Sequence, residues 1–336
     1  MSKKKHSGLL SRLDSLGDTK LLVSTQLARC SSGSIPDFRF SDHFDFVKLF
    51  GQSPTSEVWL VKSKGSAQRY CVKKVVAKFN NNAERTRYIH EVEAVTFLPV
   101  HPNLVQYIRA WQEDQQFFCQ MELCEGGSFG GCLRRLQPGC LVAERDIWVM
   151  AEQTAAGLAH CHLYGILHLD IKPDNIFLDR NGTYKIGDFG VAWVAGKGWE
   201  LQEGDGAYVA PEVLAMHAQA LPTAAADVFS FGATVYEAAT GRPLPREMRR
   251  GLATFVREPP GGEGEGGGSG GEVSPTKGKL GGASSSLVEL PEGRSVELAE
   301  LISLCIRRDP MHRPTAVQVG ERARAVLAAR DAHGGW

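Results

Sequence analysis

The segment DVFSFGATVYEAATG, residues 227–241, does most to narrow what this chain can fold into. It is apolar almost all the way round at helical spacing, so it has no face to offer water and must run through the centre of a lobe as a buried helix. Gly241 and Pro243 stop it. A helix buried on every side needs other helices around it, and the neighbouring sequence supplies them. Ile147, Met150, Ala151, Thr154, Leu158 and Cys161 keep the i, i+3, i+4, i+7 spacing until Gly165, and residues 297–309 and 315–330 are helical again. Short strands are expected at ILHL, NIFL and YKIG. The front of the chain has another period. FDFVKLF, SEVWLVKSK and RYCVKKVV, separated by Gly51 and Gly65-Ser66, read as an antiparallel meander. A helix over 83–98 presents Ile89, Val92, Val95 and Thr96 on one face, and FFCQMELC reads as a further strand. The chain is therefore expected to be α+β, with a β-rich first part holding one helix and a mostly helical second part.

Composition restricts the function. Lys and Arg total 38 and Asp and Glu total 38, so there is no net charge and no basic surplus for general binding of nucleic acid or acidic membrane. No stretch approaches the roughly 18 apolar residues of a membrane span. Eight cysteines form no CxxC pair, and MSKKKHSGLL opens the chain without a secretory apolar run, so reduced thiols scattered through the core are expected. Residues 1–43 read as a polar, flexible tail, and 331–336 as a second short tail. Glycine is the outlier: 37 residues against the about 24 of ordinary usage. Positions 261–282 alone hold 11 of them, inside a segment, 259–286, that reads as a flexible insert.

The chemistry is carried by HLDIKPDN (168–175), KIGDFG (185–190) and AYVAPE (207–212). In order and spacing they resemble the protein kinases, from Phe44 onward over about 280 residues. The resemblance implies a bilobal fold with an N-lobe at 44–125, a C-lobe at 126–330, and ATP with Mg²⁺ as cofactors. Phosphoryl transfer to a hydroxyl runs through a loose transition state, so the enzyme has mainly to aim the hydroxyl and neutralise phosphate charge. Asp170 would accept the hydroxyl proton and Lys172 would place a point charge beside the transferring group. Asn175 and Asp188 would hold the metal through oxygen. Upstream, Lys73 would bind the α- and β-phosphates with Glu91 as its ion-pair partner, and its neighbours Cys71 and Val75 on the same strand face are apolar. The remaining ATP contacts implied are Phe50, Gly51 and Val58 in the phosphate loop, then Met121 and the hinge groups of Glu122 and Cys124.

The phosphate loop departs from the kinase pattern. GQSPTSEV keeps Gly51 and Val58 but places Ser53 and Ser56 where glycines are expected, and Pro54 removes an amide donor. A pseudokinase that binds partners without transferring phosphate is therefore an alternative. Against it, every charged catalytic residue is present.

Further segments point to a subfamily. Residue 169 is Leu, not the Arg that pairs with a phosphorylated activation loop, and 189–212 contain no Ser or Thr, only Tyr208. An activation segment that is held competent without phosphorylation is expected. HLDIKPDNIF, Glu203-Gly204-Asp205, YIRAWQED, QMELC, RPLP and DPMHRP together resemble the Wee family of mitosis-inhibitor kinases, particularly plant and algal members. That resemblance implies an inhibitory tyrosine of a cyclin-dependent kinase, with its cyclin, as substrate, and a nuclear location, with the cytoplasm second. Lys3-Lys4-Lys5 fits part of a nuclear address, although three charges beside a chain start are usually only solvated. Glu203 and Asp205 would shape the substrate floor, Asp205 attracting Lys172. Asp227 would tie the catalytic loop to the buried helix, and Arg313 would pair with Glu212. Lys172 itself suggests serine or threonine specificity, which stays open as the second reading. Ser274-Pro275-Thr276-Lys277 in the insert has the form cyclin-dependent kinases favour, making Ser274 a regulatory candidate.

Overall fold

A computed structural model describes residues 39–76, 82–114, 116–202, 204–214, 221–249 and 287–336. The insert at 259–286, Ser274 and Glu203 lie outside the described residues, as does the tail up to residue 38.

The alternating front half closes into a five-stranded antiparallel sheet of order β1-β2-β3-β5-β4. A helical turn, α1 (Phe40–His43), leads into β1 (Phe44–Gln52), β2 (Ser56–Ser63) and β3 (Arg69–Val75); α2 (Asn82–Thr96), β4 (Tyr107–Glu113) and β5 (Gln116–Met121) follow. One sheet face packs Val75, Phe117, Cys119 and Met121 with Val92 of α2. The other carries an aromatic cluster in which Trp111 and Phe118 stack at 5.2 Å. Phe40 joins that cluster 5.1 Å from Trp59, and its amide donates to Glu113 at 2.8 Å. The tail expected through residue 43 therefore gives way to ordered structure earlier, because Phe40 has apolar rings to cover. The strand β4 has no counterpart among the expected elements. A register shift between Tyr107 and Arg109 breaks the alternation that would have marked it.

The second lobe opens with β6 (Gly127–Ser128), α3 (Phe129–Arg135) and α4 (Glu144–Leu163). Short strands follow: β7 (Ile166–Leu167), β8 (Ile176–Leu178), β9 (Tyr184–Ile186) and β10 (Trp193–Val194). They form two small sheets, β6-β8-β9 and β10-β7. Then come α5 (Pro211–Leu214), α6 (Ala224–Thr240), α7 (Arg246–Arg249), α8 (Val296–Cys305) and α9 (Ala316–His333). The helix α6 is buried along Ala226–Val235 and ends on Gly241, whose φ of 69° is the left-handed cap that glycine adopts at little cost. A capping box at Thr315 and Gln318 starts α9. Cys119, Cys161 and Cys305 are core thiols, and burial pushes Cys305 up to about 12. Among the described residues no helix is long and apolar enough to cross a membrane.

Two helices approach closely at Gly232, where an added Cβ would lie 2.6 Å from Cys305 Cβ and 2.9 Å from Ile306 Cγ2. We expect Gly232→Ala to cost about 1–3 kcal/mol by overpacking. Urea unfolding should show the lower midpoint with an unchanged slope.

Candidate active site

The site begins at a carboxylate on the buried helix. Asp227, in the first turn of α6, is fully buried and accepts from the amides of His168 at 2.9 Å and Leu169 at 2.7 Å. His162 of α4 adds a third contact at 2.8 Å. Burial pushes the Asp227 carboxyl up, but His162, His168 and the amide bonds outweigh it and hold the group below its ordinary range. These bonds keep Leu169 at φ 61°, a left-handed conformation that costs a non-glycine residue of order 1–3 kcal/mol. His168, fully buried, extends the support. Its Nδ1 accepts from the amide of Asp170 at 3.3 Å, and its Nε2 donates to the Gly187 carbonyl at 3.1 Å. Its ring also packs 4.8 Å from Phe189. Catalytic loop and KIGDFG segment are thus joined through one imidazole.

Asp170 sits at the end of this scaffold with every neighbour a donor. Asn175 Nδ2 donates to its Oδ2 and to its backbone carbonyl, both at 2.8 Å; Lys172 Nζ lies 2.9 Å from Oδ2; the amide of Asp205 donates to Oδ1 at 2.8 Å. Lys172 also lies 3.7 Å from Asp205 Oδ2. Burial draws the Lys172 pKa down, yet the bond and charge of Asp170, with Asp205, raise it above the ordinary value. A proton acceptor so aimed, with an ammonium beside it, suits a hydroxyl nucleophile. Asp205 reaches Asp170 only because residue 204 is glycine. A Cβ there would stand 2.3 Å from the Leu169 carbonyl and 3.0 Å from Asp170 Oδ1. In the sequence this glycine carries a family resemblance but no chemistry, so its steric duty is not visible there.

A second charged centre lies under the sheet. Lys73 Nζ donates to both Glu91 oxygens at 2.9 and 3.0 Å and to Asp188 Oδ1 at 3.0 Å. Burial alone would depress this ammonium; Asp188 and Glu91 overcome it and raise its pKa, while Lys73 holds the Asp188 carboxyl below its ordinary value. Tyr107, on the strand absent from the expected elements, donates to Glu91 at 3.2 Å. Lys73, Glu91 and Asp188, far apart in sequence, thus meet at one point.

Above them, Val58 pairs with Gly51 on β1 and with Lys73 on β3, and Cys71 pairs with Met121. Phe50 and Gly51 are exposed and Met121 is buried. The tip between β1 and β2 is closed by serine. The Ser53 amide donates to the Ser56 carbonyl at 2.8 Å, and the Ser56 amide donates to Ser53 Oγ at 3.0 Å. At the hinge, the Glu122 amide donates to the Gln106 carbonyl at 2.9 Å, and its carboxylate binds Lys185 at 3.0 Å and the Gln106 amide at 2.7 Å. Both groups are committed within the protein, which confines a nucleotide role of Glu122 to its carbonyl. Cys124 gives its carbonyl to the Gly127 amide.

The residues present fit a hard divalent cation. Asn175 spends its amide nitrogen on Asp170, which turns its oxygen into the available donor, and Asp188 adds carboxylate oxygen. In the activation segment the Tyr208 hydroxyl donates to Glu237 at 2.5 Å, and Arg313 grips Glu212 through a fork at 2.5 and 2.8 Å.

The Protein kinase domain family matches residues 44–323. The chain is 37% identical over 67% of its length to the mitosis inhibitor protein kinase wee1 of Schizosaccharomyces pombe. It is 32% identical over 83% of its length to a Wee1-like protein kinase of Arabidopsis thaliana. It is also 33% identical over 61% of its length to a membrane-associated tyrosine- and threonine-specific cdc2-inhibitory kinase, wee-1.3, of Caenorhabditis briggsae. The chain spans 25%, 49% and 30% of those relatives' own lengths.

Gly204→Ala should push the Asp205 amide off Asp170 and lower kcat about 10- to 100-fold, with a lower thermal midpoint as the segment is forced off the Leu169 carbonyl, measured by steady-state kinetics beside calorimetry. Asp227→Ala should cost about 3–5 kcal/mol near neutral pH by leaving buried donors unpaired. Because the folded carboxyl titrates below the ordinary value of 3.8, its contribution is present above that value and lost as pH falls through the lowered one. The gap between wild type and variant in urea midpoint should therefore be constant from about pH 5 upward and shrink in stronger acid.

Proposed function

Since the chain belongs to the protein kinase family, using ATP and a divalent metal, we propose that it acts as a Wee-type kinase, with Mg²⁺ as the metal. On this reading it phosphorylates an inhibitory tyrosine of a cyclin-dependent kinase bound to its cyclin and so delays entry into mitosis. The observation that carries the activity is the assembly of both charged centres at once: Lys73 is already paired with Glu91 and Asp188, and Asp170 is already aimed by Asn175, Lys172 and Asp205. A pseudokinase has no need of either. The Wee assignment is supported by the relatives, of which the Schizosaccharomyces pombe kinase is a mitosis inhibitor and the Caenorhabditis briggsae kinase is cdc2-inhibitory.

The division of labour follows from position. Asp170 takes the proton as the acceptor hydroxyl attacks the γ-phosphorus and the bond from that phosphorus to the β,γ-bridging oxygen breaks, releasing ADP. Lys172 steadies the phosphoryl oxygens and keeps contact with Asp205 on the substrate floor. Lys73 holds the α- and β-phosphates, its own position fixed by Glu91. Asn175 and Asp188 would hold Mg²⁺, which when bound neutralises phosphate charge. Phe50, Gly51, Val58 and Met121 enclose the base and sugar, with the hinge offering backbone groups. The Wee reading carries with it a nuclear site of action, with the cytoplasm second. A threonine acceptor is a second reading, favoured by Lys172 in the catalytic loop and by the description of the nematode relative as tyrosine- and threonine-specific.

One experiment separates these readings. The chain is incubated with ATP, Mg²⁺ and a catalytically inactive cyclin-dependent kinase–cyclin complex, and the phosphorylated residue is identified by mass spectrometry. Phosphotyrosine on the cyclin-dependent kinase, absent with Lys73→Met, is expected. Phosphothreonine or phosphoserine alone would replace the tyrosine reading, and phosphate transfer to no acceptor at all would favour the binding module.

A further inference from the structure

The helix α2 meets the activation segment at two places that no catalytic role explains. His90, next to Glu91, lies flat against Trp199, with ring centroids 4.1 Å apart and planes inclined by 11°. Just beyond the end of α2, the Phe97 ring receives the ammonium of Lys197 at 4.4 Å from its centroid. Both partners come from one turn, Gly196-Lys197-Gly198-Trp199. Its two glycines have φ of 77° and 66°, left-handed values that other residues adopt only with strain. The turn starts from a fixed point, since β10 pairs with β7 and the Ala195 amide donates to the Gly165 carbonyl at 2.9 Å. Five residues after Trp199 the chain reaches Gly204, packed on the catalytic loop, and Asp205, bonded to Asp170.

One short turn therefore links the helix that carries Glu91 to the segment that carries Asp205. The links are an aromatic stack and a cation–π contact, interactions that need no modification to form. The usual means of ordering such a segment is missing here: residue 169 is Leu, and 189–212 contain no Ser or Thr. The single hydroxyl, on Tyr208, is already bonded to Glu237.

We propose that Trp199 and His90, seconded by Lys197 on Phe97, are positioning residues that latch the activation segment to α2, so that the Lys73–Glu91 pair and the Asp205–Asp170 contact form together without a phosphate. The latch rests on the phosphoryl-transfer reading given above and adds to it the means by which the segment is held.

The test compares wild type with Trp199→Ala, Trp199→Phe, His90→Ala and the double variant His90→Ala/Trp199→Ala, assayed with ATP and the inactive cyclin-dependent kinase–cyclin complex. Each alanine variant should lose about three- to tenfold in kcat, the factor expected of one aromatic stack, with the KM for the protein acceptor unchanged. The double variant should be no worse than the single ones, because one contact is removed in all three. Trp199→Phe should recover most of the rate. In parallel, the emission of Trp199, taken as wild type minus Trp199→Phe, should move to longer wavelength in His90→Ala as the indole gains solvent. Losses that multiply in the double variant, or an emission that ignores His90→Ala, would overturn the latch. Lys197→Ala, at an exposed side chain, carries the same kinetic test should Trp199→Ala fold poorly. A wild-type chain that transfers no phosphate would defeat the kinase reading instead, and the emission measurement would still decide the latch.

Discussion

The active site depends on one buried carboxylate. Asp227 belongs to the helix buried along Ala226–Val235, and a charge there is tolerable only because three donors converge on it. Two of those donors are consecutive amides of the catalytic loop. The cost of burying the charge and the cost of the left-handed Leu169 are thereby coupled: the bonds that satisfy the carboxylate are the same bonds that hold the loop in its unusual conformation. Rigidity in the helical core is passed through the backbone to Asp170, one residue further on.

A second coupling works through charge. Lys73 stands on the sheet, Glu91 on α2, and Asp188 in the second lobe just after β9. One ammonium stands between two carboxylates, so the triad keeps a net negative charge, and removing the lysine would leave the buried Glu91 facing Asp188 with no cation between them. The arrangement forms only when helix, sheet and KIGDFG segment are all in position. It therefore acts as a check on the global geometry, and a nucleotide phosphate bringing further negative charge would find the lysine already placed.

Much of this was legible beforehand, for definable reasons. The buried helix announced itself by hydrophobicity on every face, and the meander by β-type runs separated by glycines. Asp170, Lys172, Asn175, Lys73, Glu91 and Asp188 were legible because the chemistry requires fixed residue types at motif spacing, and the fold brings those six into two adjoining clusters. What escaped had no periodic or chemical signature. The strand β4 is interrupted by its register shift, and α3 contains two adjacent glycines that lower helix propensity. One of these, Gly130, is there because a Cβ would sit 2.5 Å from Asp174 Oδ1. The roles of Gly204 and of the Trp199 stack are properties of distance between segments, which a single sequence does not encode in any local pattern.

Glycine usage makes the same point in energetic terms. In the phosphate loop, where kinases commonly repeat glycine, this chain closes its hairpin tip with serine hydroxyls bonded to backbone, which limits the tip's freedom in a way glycine would not. Glycines that bear on the chemistry have moved to other positions. Gly196 and Gly198 adopt left-handed φ to throw Lys197 and Trp199 onto α2, and Gly204 lets two backbones approach where a methyl group would separate them. Each of these positions trades conformational freedom in the unfolded chain for a contact that a larger residue would strain or block. The glycines of the site are thus identified by φ and by what a Cβ would strike. Abundance does not distinguish them from the run at 261–282, and motif marks only Gly204, without its steric role.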